Sequence, residues 1–188
     1  MLDLLLQKDR ELLIFLNNLG NKQWDSFWLV ITNQFYWIPL FVFVFYLVFK
    51  NFGLKKGLLL LVFITVMITF SDQFTNFIRG VFERLRPIND DSINIYLREK
   101  LIHPKSFSFT SGHATSSMTF ATFIFLLFRR LYPKYIKLIF LFPIFFAYSR
   151  IYLGVHYPTD ITVGAINGTL IGFLFFKLYS IIIRKLFN

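Results

Sequence analysis

Ser149-Arg150-Ile151-Tyr152-Leu153-Gly154-Val155-His156-Tyr157-Pro158-Thr159-Asp160 places a cation, an imidazole and a carboxylate between two long apolar stretches. Ionisable groups at a membrane boundary are costly, so by default they mark a functional site with partners elsewhere in the chain. Two arginines, Arg79 and Arg86, lie seven residues apart, which is two helical turns if the helix carrying Arg79 continues. With Arg150 they supply three permanent cations and up to about fifteen N–H donors in the fork geometry that suits phosphate oxygens. The competing reading pairs Arg79 with Asp72 or Glu83 and Arg86 with carboxylates of its own loop. A third segment, Phe109-Thr110-Ser111-Gly112-His113-Ala114, opens an apolar run. Gly112 lets backbone approach a ligand, and a helix start offers unpaired N–H groups and partial positive charge, which together cradle an anion. Ser111 also suits the cap of that helix. Of the three histidines, His113 and His156 fall at membrane edges beside Arg or Gly, whereas His103 reads as a solvated loop residue.

These groups need elements to hold them. Of 188 residues, 56% are hydrophobic, 27 are Phe and only 16% are charged, which is too apolar for a soluble domain of this size and specifies an integral membrane protein. Without cysteine there are neither disulfides nor thiolate metal sites. Residues 2–18 alternate leucines and charges at helical spacing and predict an amphipathic helix, lying in the interface or packed on the bundle. Asp3, Lys8, Asp9, Arg10 and Glu11 interrupt it, which argues against a cleaved signal peptide. Trp24, Phe27 and Trp28 read as interfacial anchors. The stretches 25–50, 56–79, 111–129, 132–153 and 159–184 are each long enough to approach or span the ~30 Å hydrocarbon core. The expected fold is therefore all-α: an integral membrane helical bundle of about five transmembrane helices plus the N-terminal helix, forming one domain over residues 1–188. Lys137 and Lys177 are expected to snorkel and Arg150 to turn inward. Gly164, Gly168 and Gly172 form a small-residue ridge, read as packing within the monomer ahead of dimerisation.

If the spans alternate, the loops carrying residues 79–110 and 153–158 share one face of the membrane, so His156 can meet the arginines. The opposite face receives ten Lys and Arg and no acid, among them Lys55, Lys56, Arg129 and Arg130 in short loops. The other face receives the remaining ten Lys and Arg with all ten acids, so the cation count of the positive-inside rule ties. The tie breaks on location, because several cations of that other face sit in the long polar loop beside candidate site residues. The all-basic face is put in the cytoplasm with the polar loop outside.

Arg79-x6-Arg86-Pro87, Ser111-Gly112-His113 and Ser149-Arg150-x5-His156-x3-Asp160 together resemble the tripartite signature of the type 2 phosphatidic acid phosphatase superfamily, which includes membrane lipid phosphatases. The likeness runs from Arg79 to Asp160. It implies that His156 is the nucleophile that forms a phosphohistidine and that Asp160 orients and stabilises its imidazole. His113 would protonate the leaving oxygen and then activate water, while Arg79, Arg86, Ser111, Gly112 and Arg150 bind the phosphoryl oxygens. It implies no metal and no cofactor, since phosphoryl transfer demands mainly positioning and charge stabilisation. The family usually has Lys where this chain has Arg79 and Pro where it has Thr110, and neither change removes a group the chemistry needs.

A metal hydrolase built on His113, His156 and Asp160 would set a dication among three arginines. A serine hydrolase would use Ser111. A non-enzymatic anion transporter has no need of two histidines and an aspartate. A lipid phosphotransferase shares every residue of the hydrolase. The expected substrate is a phospholipid or isoprenoid lipid: undecaprenyl diphosphate, a lipid A phosphate, phosphatidylglycerophosphate or phosphatidic acid. Its tail is expected between spans near the first helix. The expected setting is the cell (inner) membrane with the site on the extracytoplasmic, periplasmic face; no nucleic acid is implied, and the sequence leaves oligomeric state open.

Overall fold

Asparagine, proline and glycine punctuate a chain that is otherwise helical in the computed structural model, which describes residues 2–99 and 101–187. Six α-helices appear among the described residues: α1 (Leu2–Asn18), α2 (Asp25–Thr32), α3 (Ile38–Phe82), α4 (Gly112–Phe128), α5 (Leu141–Tyr152) and α6 (Pro158–Phe187). The fold is all-α, and the stretches Gln34–Asn89 and Pro158–Phe187 are long and apolar enough to cross a membrane; α4 is a shorter apolar helix.

Two expectations about continuity are corrected. The charge-free run 25–50 is not one helix, because the Asn33 side chain accepts the Phe35 N–H at 3.0 Å. That Asx turn ends α2 after eight residues and starts the next element. Between Lys50 and Lys56 the two expected spans are separate helices, the two halves of α3, but what joins them is a break at Gly53 alone and not a longer loop; its φ of 72° only glycine adopts freely. The two halves of α3 fold back on each other: Phe41 and Phe45 face Ile64 and Ile68 across an apolar cavity. Val48, Leu60, Met67, Phe123 and Phe128 are fully enclosed between these halves and α4.

The most extensive helix contact is α4 against α6, and the glycine ridge makes it. A Cβ on Gly164 would stand 2.8 Å from the Ser111 carbonyl oxygen, and one on Gly172 2.6 Å from that of Thr119; at Gly168 the backbone of Thr115 is closer still. The ridge is thus used inside the monomer. Close approach lets the Ser111 N–H donate to the Asp160 carbonyl at 3.1 Å, which ties the start of α4 to the first turn of α6.

The N-terminal helix combines both readings made of it. Leu5, Leu12 and Phe15 are exposed, while Asp9, Leu13 and Asn17, one turn apart, are buried against α5 and α6. Asn17 donates to the carbonyl of Tyr152 at 2.7 Å and accepts the Arg98 N–H at 2.9 Å. Trp24 and Phe27 are outward, but Trp28 stacks on Tyr152. Lys137 and Lys177 are exposed and Arg150 is buried, as expected.

Gly168→Ala should lower stability by about 1–3 kcal/mol through overpacking. Gly80→Ala, in a helical position with nothing within 4 Å, should be neutral or stabilising by up to about 1 kcal/mol. Thermal unfolding of the two variants in detergent measures the difference; equal melting temperatures would refute the packing role of the ridge.

Candidate active site

The turn that carries His156 is set by the end of α5. Val155 N–H bonds the Arg150 carbonyl at 3.0 Å and Gly154 N–H that of Ile151 at 2.9 Å, the paired bonds of a Schellman motif with glycine in the left-handed position (φ 65°). The chain then reverses, and Pro158 opens α6 at its first position. Asp160 accepts the Tyr157 N–H at 2.9 Å, the return half of a capping box. One turn thus delivers Arg150, His156 and Asp160 to one place.

His156 is almost wholly enclosed, at 1% exposure, and Asp160 at 0%. Its Nδ1 lies 3.3 Å from Asp160 Oδ2 and its Nε2 2.9 Å from Arg86 Nη1. A guanidinium only donates, so Nε2 is the acceptor and the ring proton sits on Nδ1, facing the carboxylate. Burial first, then the charges of Arg86, Arg150 and Arg79, hold the imidazole well below the usual histidine range. It is therefore neutral at pH 7 with its lone pair on Nε2.

Arg86 does not continue α3. Glu83 adopts a left-handed conformation (φ 44°) that ends the helix, and Arg86 follows in extended backbone, so the expected two-turn alignment with Arg79 is replaced by an approach from the loop. Arg86 is fixed by donating to the Ser106 carbonyl at 2.7 Å, Ser106 Oγ at 2.9 Å and the Val155 carbonyl at 3.0 Å. Burial, then the charge of Arg79, pushes it down to about 10, still protonated at neutral pH. Arg79 donates to the Thr110 carbonyl at 3.1 Å and to Asn76 Oδ1 at 3.3 Å. Arg150 donates to Thr32 Oγ1, and its buried Nε has no partner. None of the three makes an ion pair among the described residues, so the expected alternative, neutralisation by Asp72, Glu83 or loop carboxylates, is not what is found.

Ser111 caps α4, its Oγ accepting the Ala114 N–H at 3.5 Å, and Gly112 lies against the Arg79 guanidinium. His113 meets the Thr32 carbonyl through Nε2 at 3.3 Å and stacks on Phe146 at 4.4 Å. It lies within electrostatic reach of Arg150, His156 and Arg79. All eight expected residues thus gather at one end of the bundle. Beyond His113 opens a cavity of about 400 Å³ lined by Phe41, Ile64, Ser117, Phe120, Phe142 and Phe146, among others. No residue of α1 lines it, so the apolar space lies between α3, α4 and α5 and not beside the first helix.

Thr32, Ser106, Arg84 and Asp9 were missed from the sequence. Arg84 pairs with Asp160 Oδ1 and with Asp9 Oδ2, each at 2.8 Å. A signal existed for Asp9: it falls on the helical stripe of Leu13 and Asn17.

The model of the PAP2 superfamily matches residues 57–184. The chain belongs to that superfamily. It is 35% identical over 179 residues, 94% of its length and 79% of the relative's, to a lipid A 4'-phosphatase of Bacteroides thetaiotaomicron. An undecaprenyl-diphosphatase of Sulfolobus acidocaldarius is 29% identical over 148 residues, 78% of this chain and 65% of that one. In fold it is similar to a transmembrane PAP2-type phosphatidylglycerolphosphate phosphatase from Bacillus subtilis (TM-score 0.74, 23% identity, 98% of this chain and 89% of that one). Aquifex aeolicus LpxE gives a TM-score of 0.65 at 26% identity, covering 89% and 93%. This PAP2 protein is an integral membrane lipid phosphatase.

With ¹⁵N-labelled histidine in detergent micelles, His156 should appear as the neutral Nδ1–H tautomer at pH about 6.5, the unperturbed histidine value. Arg86→Gln removes a neighbouring cation and should raise the pH at which the ring protonates. An imidazolium signal for His156 in the parent protein at that pH would contradict the assignment.

Proposed function

We propose that this PAP2 enzyme hydrolyses the phosphate of a membrane glycolipid of the lipid A type without a metal, through a phosphohistidine at His156. The observation that carries the reading is the environment of His156: an Nε2 lone pair held by the Arg86 N–H, a carboxylate on Nδ1, and the charges of Arg86, Arg150 and Arg79 close to the ring. A phosphoryl group entering this space takes over the Arg86 N–H from Nε2, which frees the lone pair for attack. The N–P bond forms as the bond from phosphorus to the lipid oxygen breaks, and the electron pair leaves on that oxygen, which His113 protonates. Arg79, Arg86 and Arg150 with the Ser111–Gly112 backbone hold the phosphoryl oxygens, whose charge rises in transfer. Asp160 stabilises the cation that develops on His156. Water, deprotonated by His113, then attacks phosphorus, the N–P bond breaks and phosphate is released.

The cavity beyond His113 supports a lipid leaving group. Its about 400 Å³ falls within the usual range of ligand pockets, about 300–1,000 Å³, and it sits on the side where the proton donor stands. The lipid A 4'-phosphatase likeness at 35% identity supports a phosphorylated glycolipid ahead of undecaprenyl diphosphate, phosphatidylglycerophosphate or phosphatidic acid. The crowding of Lys55, Lys56, Arg129 and Arg130 in short connections supports a site on the periplasmic face of the inner membrane, with those connections in the cytoplasm.

Phosphate release from these four lipids in detergent tests the assignment. The expected result is fastest turnover of the lipid A phosphate, activity that survives chelation, and loss of at least about a thousandfold in His156→Ala. Retained activity in His156→Ala would end the phosphohistidine reading, and preference for another lipid would end the substrate reading alone.

A further inference from the structure

Arg84 differs from the other site arginines in being the one with carboxylate partners. Its Nη1 lies 2.8 Å from Asp160 Oδ1 and its Nη2 2.8 Å from Asp9 Oδ2. The Tyr157 ring lies beneath the guanidinium at 3.6 Å. Asp9, 5% exposed, also accepts the Thr159 N–H at 2.9 Å and the Thr159 hydroxyl at 2.5 Å. One carboxylate of α1 therefore fixes both the fork of Arg84 and the first turn of α6. Asp160 divides its oxygens: Oδ2 takes the Tyr157 N–H and faces His156 Nδ1, while Oδ1 is left to Arg84. A carboxylate with no exposure needs a cation to remain ionised. Once protonated it no longer receives the Nδ1 proton reliably, and the tautomer that frees Nε2 is lost.

Resting on the assignment of His156 as nucleophile, we propose that Arg84 and Asp9 are positioning residues, Asp9 fixing Arg84 and Arg84 holding Asp160 as the carboxylate that orients His156. Through them the N-terminal helix, 75 residues from Arg84 and 150 from Thr159 along the chain, is part of the catalytic apparatus without touching substrate. Other charges around Asp160 are Arg79 from α3, Arg86 from the connection and His156 from the turn. Ser108 lies against it as well. From α4 comes the Ser111 N–H to its carbonyl. From α1, Arg10 stands near Tyr157. Of these cations Arg84 is the one in direct contact with the carboxylate.

Full-length Arg84→Met, Arg84→Lys, Asp9→Asn, the Asp9→Asn/Arg84→Met double variant and His156→Ala are to be compared by phosphate release from lipid A phosphate in detergent across pH. Arg84→Met should lower kcat by about a hundredfold and Asp9→Asn by about tenfold, the range over which supporting partners act, with KM within about threefold. Loss of the cation favours the protonated carboxyl, so the acid limb of kcat should move to higher pH in Arg84→Met and return part of the way in Arg84→Lys. The double variant should be no worse than Arg84→Met alone, because Asp9 acts through Arg84. If Arg84→Met fails to fold, Asp9→Asn and Arg84→Lys decide by the same pH shift. An inactive His156→Ala beside unshifted pH profiles in every Arg84 and Asp9 variant overturns this proposal alone, whereas an active His156→Ala overturns the nucleophile assignment on which it rests.

Discussion

Three guanidiniums lie within reach of one imidazole with no carboxylate bonded to any of them among the described residues, and that unbalanced charge is the constraint around which the site is arranged. A buried cation without a counterion is expensive, so the fold holds Arg79, Arg86 and Arg150 by neutral oxygens: the carbonyls of Thr110, Ser106 and Val155, and the hydroxyls of Ser106 and Thr32. Such partners fix direction and leave the positive charge in place. Had the acids of the connecting loop neutralised these arginines, the same side chains would be structural. The proximity of like charges also sets a preference in ligand: it favours a multiply charged anion and repels a dication.

Negative charge is present, but on the other side of the ring. Asp160, Arg84 and Asp9 form a closed series behind Nδ1, while Arg86, which has no carboxylate partner, stands before Nε2. His156 is the boundary between the two zones, and its tautomer follows from them, since a guanidinium cannot accept and a carboxylate cannot donate. Segregation on this scale requires groups from α1, the connection after α3 and the first turn of α6 to meet. The glycine ridge between α4 and α6 and the Schellman turn after α5 are the two backbone devices that allow it.

Much of this was legible in the residues. Helix α4 begins one residue after Ser111, as read from the sequence, because a capping serine is a local signal that tertiary structure did not override, and α6 begins at Pro158, one residue before the expected span. The break at Asn33 was not legible: in a run of apolar residues a single asparagine leaves hydropathy unchanged, and the Asx turn shows only in the backbone it forms. The alignment of Arg79 with Arg86 failed for a similar reason, since Glu83 gives no sequence cue for the left-handed turn that stops α3. Arg84 escaped because a charge in a polar connection reads as solvated, and Asp9 because a charge on an amphipathic helix reads as solvated surface. Only docking of α1 turns Asp9 inward.

The two histidines also differ in a way that bears on direction of transfer. His156 is closed in by polar groups on both ring nitrogens, whereas His113 meets one carbonyl oxygen and lies flat on Phe146, which lines the apolar cavity between α3, α4 and α5. In-line displacement puts nucleophile and leaving oxygen on opposite sides of phosphorus. A lipid whose chain occupies that cavity would have its ester oxygen on the His113 side and its phosphorus toward Nε2. A water-soluble phosphate ester would bury nothing against the Phe-lined wall of this cavity of about 400 Å³, the less favourable arrangement by the hydrophobic effect alone. The same asymmetry distinguishes the two rings themselves: Nε2 of His156 is covered by the Arg86 guanidinium, while His113 stacks on Phe146, a wall of the apolar cavity.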